Sequence, residues 1–376
     1  MLKKLMTLLL GCLLLSGCAL AESTEIRITE VSTEIGGHYV RYPQLEGMRD
    51  QAVQSRINDE IVLLSDVSNH LVTLITMGKN PWQLQVDHQS QILDGRIFST
   101  VISAKGKIGT QRDGHAYTAL TYDLAAGERL TLEDLFADAD AAVAYMEEQA
   151  QATLSEELNG YLEYSDMTPL PRDSFTLDER GITFWYPAQQ FSLLSGYAGA
   201  VQFWYEELDE YWRESPVEAL TKAEQKKRIE QSVSEGALPN VPAVMGQPLH
   251  ELTEAFRLLR TPDEFPGGRY FVLEDPAFRS ILIISDALES DFSRSAVEGI
   301  QLRRGGLHGF RIGQTEQAIW REALGMPLET VAVTESMAYD YRLQPGSYDI
   351  YHFGAYELRL HADESGVLCA VQLCNQ

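Results

Sequence analysis

The last third of the chain carries one pattern twice, and that repeat constrains the fold more than any other feature. GQPLHELTEAFRLL (Gly246–Leu259) and GQTEQAIWREALGMP (Gly313–Pro327) align at an offset of 67, which matches Gly-Gln and lays Leu252 over Ile319. Farther on, RSILIISD aligns with YELRLHAD, pairing Ile281 with Leu358, Ile283 with Leu360 and Asp286 with Asp363. VEGIQL then aligns with LCAVQL. Helical spacing of apolar residues opens each copy, and strand-like segments follow. Each copy reads as a helix and three antiparallel strands, repeat 1 over residues 241–304 and repeat 2 over 305–376. The fold class is α+β, with helices packed on antiparallel sheets. The drifting offset places insertions between the strands.

At 376 residues the chain is too long for one core, and residues 25–212 read as a separate domain. In MRDQAVQSRINDEIVLLSDVSNHLVTLIT, the apolar residues Val53, Ile57, Ile61, Val62 and Leu64 predict a helix packed on a sheet. WQLQVDHQS, RIFSTVISAKGKI and AYTALTYDL read as strands. After the Ala126-Gly127 turn, RLTLEDLF resumes the strand and leads to a helix near Asp138–Leu158. SFTL, ITFWYP and AVQFWYEEL follow as further strands. His115 sits behind Asp113-Gly114, with Asp123 eight residues on. Along one strand that spacing keeps the two side chains apart, so His115 reads as a turn histidine and not as half of a catalytic pair. Residues 213–240, including TKAEQKKRIEQSVSEG, read as a charged helical connector to the repeats.

VRYPQLEGMRDQAVQSRINDEI, the Gly-His segment with YDLAAGERLTLEDLF, and FTLDERGITFWYPAQQFSLLSGYAGAVQFWYEEL together resemble the paired extracytoplasmic domains DUF4163 and DUF3298. Such domains occur in the RsiV-type anti-sigma factor ectodomain and in the non-catalytic part of PdaC-type deacetylases. The resemblance covers about Tyr39–Trp212 and implies a receptor or binding role outside the membrane; the anti-sigma members bind lysozyme, a cationic protein. RDGHA lacks the second glycine usual there, and QFSLLSGYAG replaces a Pro-rich stretch, so no ligand is carried over. The tandem repeats are similar in layout, though not in residues, to those of β-lactamase inhibitory protein and small outer-membrane assembly lipoproteins. Layout alone implies no function.

The start of the chain speaks to location. Lys3 and Lys4 precede an apolar run, Leu5–Leu15, that is too short to span a bilayer, which takes about 20 residues. Residues 1–17 read as a lipoprotein signal peptide, because Leu15-Ser16-Gly17-Cys18 resembles a bacterial lipobox in which Cys18 becomes the lipidated first residue. Cleavage after Ala21 is the alternative and yields a secreted protein. Both readings export the chain. The first places it on the outer face of the bacterial cytoplasmic membrane, reached through a lipid anchor only. With 30 basic and 55 acidic residues the net charge is −25, and it becomes −27 without residues 1–17, which hold two lysines and no acid. Such a surface repels nucleic acid and suits a cationic partner or simple solubility. Cys369 and Cys374 lie five residues apart on one strand. That is about 16 Å at ~3.3 Å per residue, so packed thiols are expected and not a disulfide.

The motifs of common chemistries are missing. The eight histidines are scattered, no HExxH, CxxC, GxSxG or GxxxxGK[ST] occurs, and Asp138-Ala-Asp140 lacks the rest of a calcium loop. Glu147-Glu148 and Glu206-Glu207 read as solvated helix faces. No catalysis, metal or cofactor is expected. What stands out is aromatic: Trp185, Tyr186, Phe191, Tyr197, Phe203, Trp204 and Tyr205 crowd one region. Phe203 and Trp185 read as core, whereas Tyr186, Tyr197 and Trp204 are the candidate ligand-binding residues. The expected function is non-enzymatic, extracytoplasmic binding of a cell-wall glycan or a cationic wall-active protein such as lysozyme. The alternative is an envelope assembly factor that holds a partner protein through its C-terminal repeats.

Overall fold

The computed structural model describes residues 25–77, 83–107, 114–157, 169–186, 200–216, 220–256, 258–265, 268–273, 281–286 and 292–376. Cys18, the leader of residues 1–17, and Tyr197 lie outside the described residues. The chain divides into two compact units: residues up to Arg112 with Tyr122–Arg129, and Asp113–Thr121 with Leu130–Gln376.

In the first unit β1 (Arg27–Ile35) and β2 (His38–Glu46) form a hairpin, followed by α1 (Gln51–Leu64) and α2 (Val67–Met77). A second hairpin, β3 (Gln83–Leu93) and β4 (Ile97–Lys107), extends this sheet in the order β1-β2-β3-β4; β5 (Gly114–Asp123), most of which belongs to the second unit, and β6 (Glu128–Arg129) follow along the chain. β2 and β3 run parallel, because the helices between them return the chain to the same end of the sheet. The single expected helix is two. Asp66 adopts the left-handed conformation (φ 54°) and breaks it, so Ile57 and Ile61 are buried while Leu64 is exposed. Asp50 caps α1 by accepting from Ala52 and Val53 N–H, and the Asn58 amide clamps α1 to both backbone groups of Leu45. His115 lies at the start of β5 and Asp123 at its end. The Asp123 carboxylate accepts from the Ala125 and Ala126 N–H groups and from Arg96, which makes it the turn's own cap.

The second unit opens with α3 (Leu132–Leu135) and α4 (Ala139–Glu157). Thr131 and Asp134 form a capping box, so LTLEDLF turns into a helix where a strand was expected. A small antiparallel sheet follows, β7 (Phe175–Leu177), β8 (Gly181–Trp185) and β9 (Ala200–Trp204), ending in a 3₁₀ turn over Tyr205–Leu208. α5 (Lys222–Ser234) has a charged outer surface, but Ile229 and Val233 are fully buried, so it belongs to the core of the unit.

The segments read as repeat 1 and repeat 2 then build one sheet. Repeat 1 supplies α6 (Leu249–Ala255), β10 (Leu258–Phe265), β11 (Gly268–Leu273), β12 (Ile281–Ser285) and β13 (Gly299–Leu302). A small hairpin, β14 (Gly306–Leu307) and β15 (Phe310–Arg311), separates them. Repeat 2 supplies α7 (Gln317–Leu324), β16 (Glu329–Val333), α8 (Glu335–Tyr341), β17 (Gly346–Phe353), β18 (Tyr356–Asp363) and β19 (Leu368–Asn375). The order β10-β11-β12-β13-β19-β18-β17-β16 places β13 beside β19 at the centre. Each copy therefore has four strands where three were expected. The extra strand in each is an outer one, disguised in β10 by Pro262 and charges and in β16 by its shortness.

The same backbone bonds recur in both copies. Gly246 N–H donates to Val297 O and Gly313 N–H to Leu368 O; Leu249 N–H donates to Ser295 O and Gln317 N–H to Gly366 O. The bridges Pro248↔Ala296 and Glu316↔Val367 set the helices at an offset of 68 rather than 67. Leu252 thus corresponds to the fully buried Trp320, and Ile319 is 45% exposed. One apolar core, including Leu252, Ile283, Ile300, Trp320, Leu360 and Val371, runs under both copies and takes in Ile229, Val233 and Trp204.

Candidate functional site

The aromatic residues expected to recognise a ligand are mostly core. Tyr186 is 1% exposed and Trp204 2% exposed. Strand alternation sends neighbours to opposite faces, but both faces of this small sheet are covered, so alternation exposes neither. Trp204 ends β9 and lies against Gly305, where an added Cβ would come within 2.0 Å of the indole ring, at a φ of +83° that also favours glycine. Trp204 N–H donates to Glu207 (2.6 Å), and Arg304 Nε donates to the same carboxylate (2.9 Å) with its guanidinium 4.9 Å from the Phe203 ring centre. Glu207 is therefore a buried ion-pair partner and not a solvated acid. Trp185 donates its indole N–H to Thr176 Oγ1.

The unusual chemistry lies elsewhere, on the face of the eight-stranded sheet opposite the main core. Register carries one row across the sheet from Leu282 to Gln301, Gln372 and Arg359, and a neighbouring row joins Ala370, His361 and Tyr348. Gln301, Gln372 and His361 are all buried. Gln301 Nε2 donates to the carbonyls of Tyr341 (3.3 Å) and Arg342 (3.4 Å), where left-handed Arg342 ends α8. Arg359 donates to Gln372 Oε1 (3.3 Å) and Glu357 Oε1 (2.5 Å), and its guanidinium lies 5.3 Å from the Tyr348 ring centre. The His361 ring packs on Tyr348 at 4.8 Å.

These groups are held away from reactivity. Neither ring nitrogen of His361 makes a hydrogen bond of normal geometry. Burial first, and the Arg359 charge second, push its pKa down to about 3 against the pull of Gln372. A neutral ring with so low a pKa is a poor base near neutral pH. Burial likewise pushes the Cys369 and Cys374 thiols up to about 11, so little reactive thiolate forms. Both are free. Cys369 is the extra residue of a bulge, because Ala370 pairs with His361 and Leu368 with Ala362. Simple alternation from Cys374 therefore does not reach it. Among the described residues, no group of three or more His, Cys, Asp or Glu is placed to hold a metal, and no helix is long and apolar enough to cross a membrane.

Sequence reasoning missed this face because its members come from four strands and the C-terminal end of one helix. The faint signal was the repeat itself, since VEGIQL and LCAVQL align Gln301 with Gln372.

No family model matches the chain, and no curated protein matches it. Solved structures similar to this chain include the following three. A DUF3298 family member from Bacteroides fragilis NCTC 9343 (BF2082) is 14% identical, with 52% of this chain and 96% of that one covered and a TM-score of 0.36. A DUF3298 family protein from Pseudomonas aeruginosa PAO1 (PA4972) is 12% identical over 52% of this chain and 96% of that one, with a TM-score of 0.35. A DUF4309 family protein (YjgB) from Bacillus subtilis strain 168 is 14% identical over 41% of this chain and 97% of that one, with a TM-score of 0.28.

Proposed function

We propose that this protein is a non-enzymatic, extracytoplasmic binding lipoprotein, tethered through Cys18, whose partner is a cationic protein of the cell envelope. The observation that supports this reading is the polar face of the large sheet. Its histidine and thiols are shifted out of the reactive range, and its amides and guanidinium bond internally, so the sheet acts as a scaffold. The net charge of −25 favours a cationic partner. A wall glycan would call for exposed aromatic faces, and burial of Tyr186 and Trp204 weighs toward a protein instead. The continuity of the two repeats in one sheet favours a partner held on the C-terminal unit, as an envelope assembly factor would hold it.

The test is a titration of the purified protein, prepared without its leader, against lysozyme at low salt and at ~0.5 M salt, where screening reaches only a few ångströms. Peptidoglycan pull-down runs alongside. Tight binding that survives salt supports a shaped protein site. Binding lost with salt reduces the interaction to charge, and binding to peptidoglycan alone replaces the reading with glycan recognition.

A further inference from the structure

We infer that β16 is a docking edge, at which an extended cationic segment of a partner protein adds to the large sheet as a further strand. This rests on the reading of the chain as a binder of a cationic protein, and it assigns the surface.

The two outer strands of the large sheet are treated differently. A sheet edge presents unpaired backbone groups, and proteins usually blunt it with proline, charge or a bulge. β10 has two of these: Pro262 lacks an N–H, and the register breaks between Arg260 and Glu264. β16, Glu-Thr-Val-Ala-Val, has no proline, no lysine and an unbroken register with β17 from Glu329 to Val333. It is the outermost strand among the described residues, and Glu329, Thr330 and Ala332 are exposed. β-Branched residues suit it to pairing.

The surroundings specify the partner. Met326 and Leu328 lead into β16 at 84% and 70% exposure. Large apolar side chains beside an open edge provide contacts for the alternate side chains of an added strand. Glu329 and Glu335 are exposed acids on and just after β16, while Glu322 is already paired with Lys222 and the one nearby guanidinium, Arg321, which reaches Thr330, is matched by Asp349. A second copy would bring the same acids and another −25 charges to the edge, whereas lysine or arginine on an incoming strand would meet Glu329 and Glu335.

The probe is a nine-residue peptide alternating lysine and valine, titrated against the purified protein at physiological salt. The control is the same peptide N-methylated at every backbone nitrogen, equal in charge but unable to donate. The expected result is binding of the first peptide, at least tenfold weaker binding of the second, and slowed amide exchange confined to Glu329–Val333. The double variant E329K/E335K, at two exposed positions, is expected to bind at least tenfold more weakly with an unchanged Tm. Equal binding of both peptides overturns the inference, because charge alone then explains it. Protection elsewhere on the chain also overturns it. So does a dimer whose β16 amides are protected without peptide, since a second copy is then the occupant. Lysozyme binding with β16 unprotected would leave the proposed function standing and remove this edge. Peptide binding at β16 without lysozyme binding would do the reverse.

Discussion

Around the Gln301–Gln372 pair, the two halves of the large sheet share a backbone layout and differ in side-chain chemistry. Residues that align in the repeat face each other there across β13 and β19, so a local pseudo-twofold passes between them. Pairing outward from that axis matches Leu282 with Arg359, Ile284 with His361, Tyr270 with Tyr348, and Phe271 with Asp349. Repeat 1 is apolar at three of these positions on both faces, while repeat 2 is polar. β11 pairs antiparallel with β10, with Phe265 opposite Gly268, whereas repeat 2 inserts α8 between β16 and β17. The difference teaches that the backbone ladder tolerates either chemistry. The polar half, however, must supply a partner for each buried group or bear the cost of leaving one unmatched.

The largest expected effect is at Asp349, the counterpart of Phe271. Its fully buried carboxylate accepts from Arg321 (2.7 Å), Trp320 Nε1 (3.0 Å) and Thr330 Oγ1 (2.7 Å). Burial opposes its ionisation, but Arg321, Thr330 and Trp320 together hold the carboxyl below the usual range. Asp349→Ala is expected to cost about 1.5–3 kcal/mol, because it removes charge-assisted hydrogen bonds to the partly exposed Arg321 and leaves the buried Trp320 indole N–H without its acceptor. Denaturant unfolding measures it, and a loss below ~1 kcal/mol would mean that the polar half does not depend on this pair.

A smaller effect of opposite sign is expected at His361. Replacing it by its counterpart, His361→Ile, removes two unmatched buried nitrogens and is expected to stabilise by about 1 kcal/mol at neutral pH. The pH dependence sharpens the test. The unfolded ring takes up a proton below about pH 6.5, while the folded ring stays neutral down to about 3. Acid therefore favours the unfolded chain through this window, and the native protein loses up to ~1.4 kcal/mol per pH unit from this one group. His361→Ile should flatten that slope between pH 6 and 4. An unchanged slope would show that His361 is not the group responsible.

The smallest effect is expected at the axis. Gln301→Ala removes the amide that ties the Tyr341 and Arg342 carbonyls to the sheet, and should cost about 1 kcal/mol. Faster amide exchange should appear in α8, with β10–β12 unaffected. Equal loosening of both halves would erase the distinction between them.

Much of the architecture was legible because it is local or periodic. The strand character of AYTALTYDL and of WQLQVDHQS, and the helical spacing of Ile57 and Ile61, follow from patterns within one segment. The α+β class follows from the same patterns. What lay out of reach involved partners distant in sequence. Trp204 looked like a surface aromatic until Gly305 proved to lie against its ring. Glu207 looked solvated until Arg304, 97 positions on, paired with it. TKAEQKKRIEQSVSEG looked like a connector because its charges outnumber Ile229 and Val233, which face the core. A fragment beginning at residue 240 would lack these two and Trp204, and so would lack part of the core on which the repeats rest.

The sequence by itself determined the α+β class of the fold and that the molecule is strongly acidic. These are properties of single segments and of composition. Tertiary structure alone decided that the copies share one sheet, that Gln301 meets Gln372, and that β10 and β16 become its outer strands among the described residues. Those outcomes depend on which strands become neighbours, and strand pairing is settled by packing between segments distant in sequence, which no pattern within a segment records.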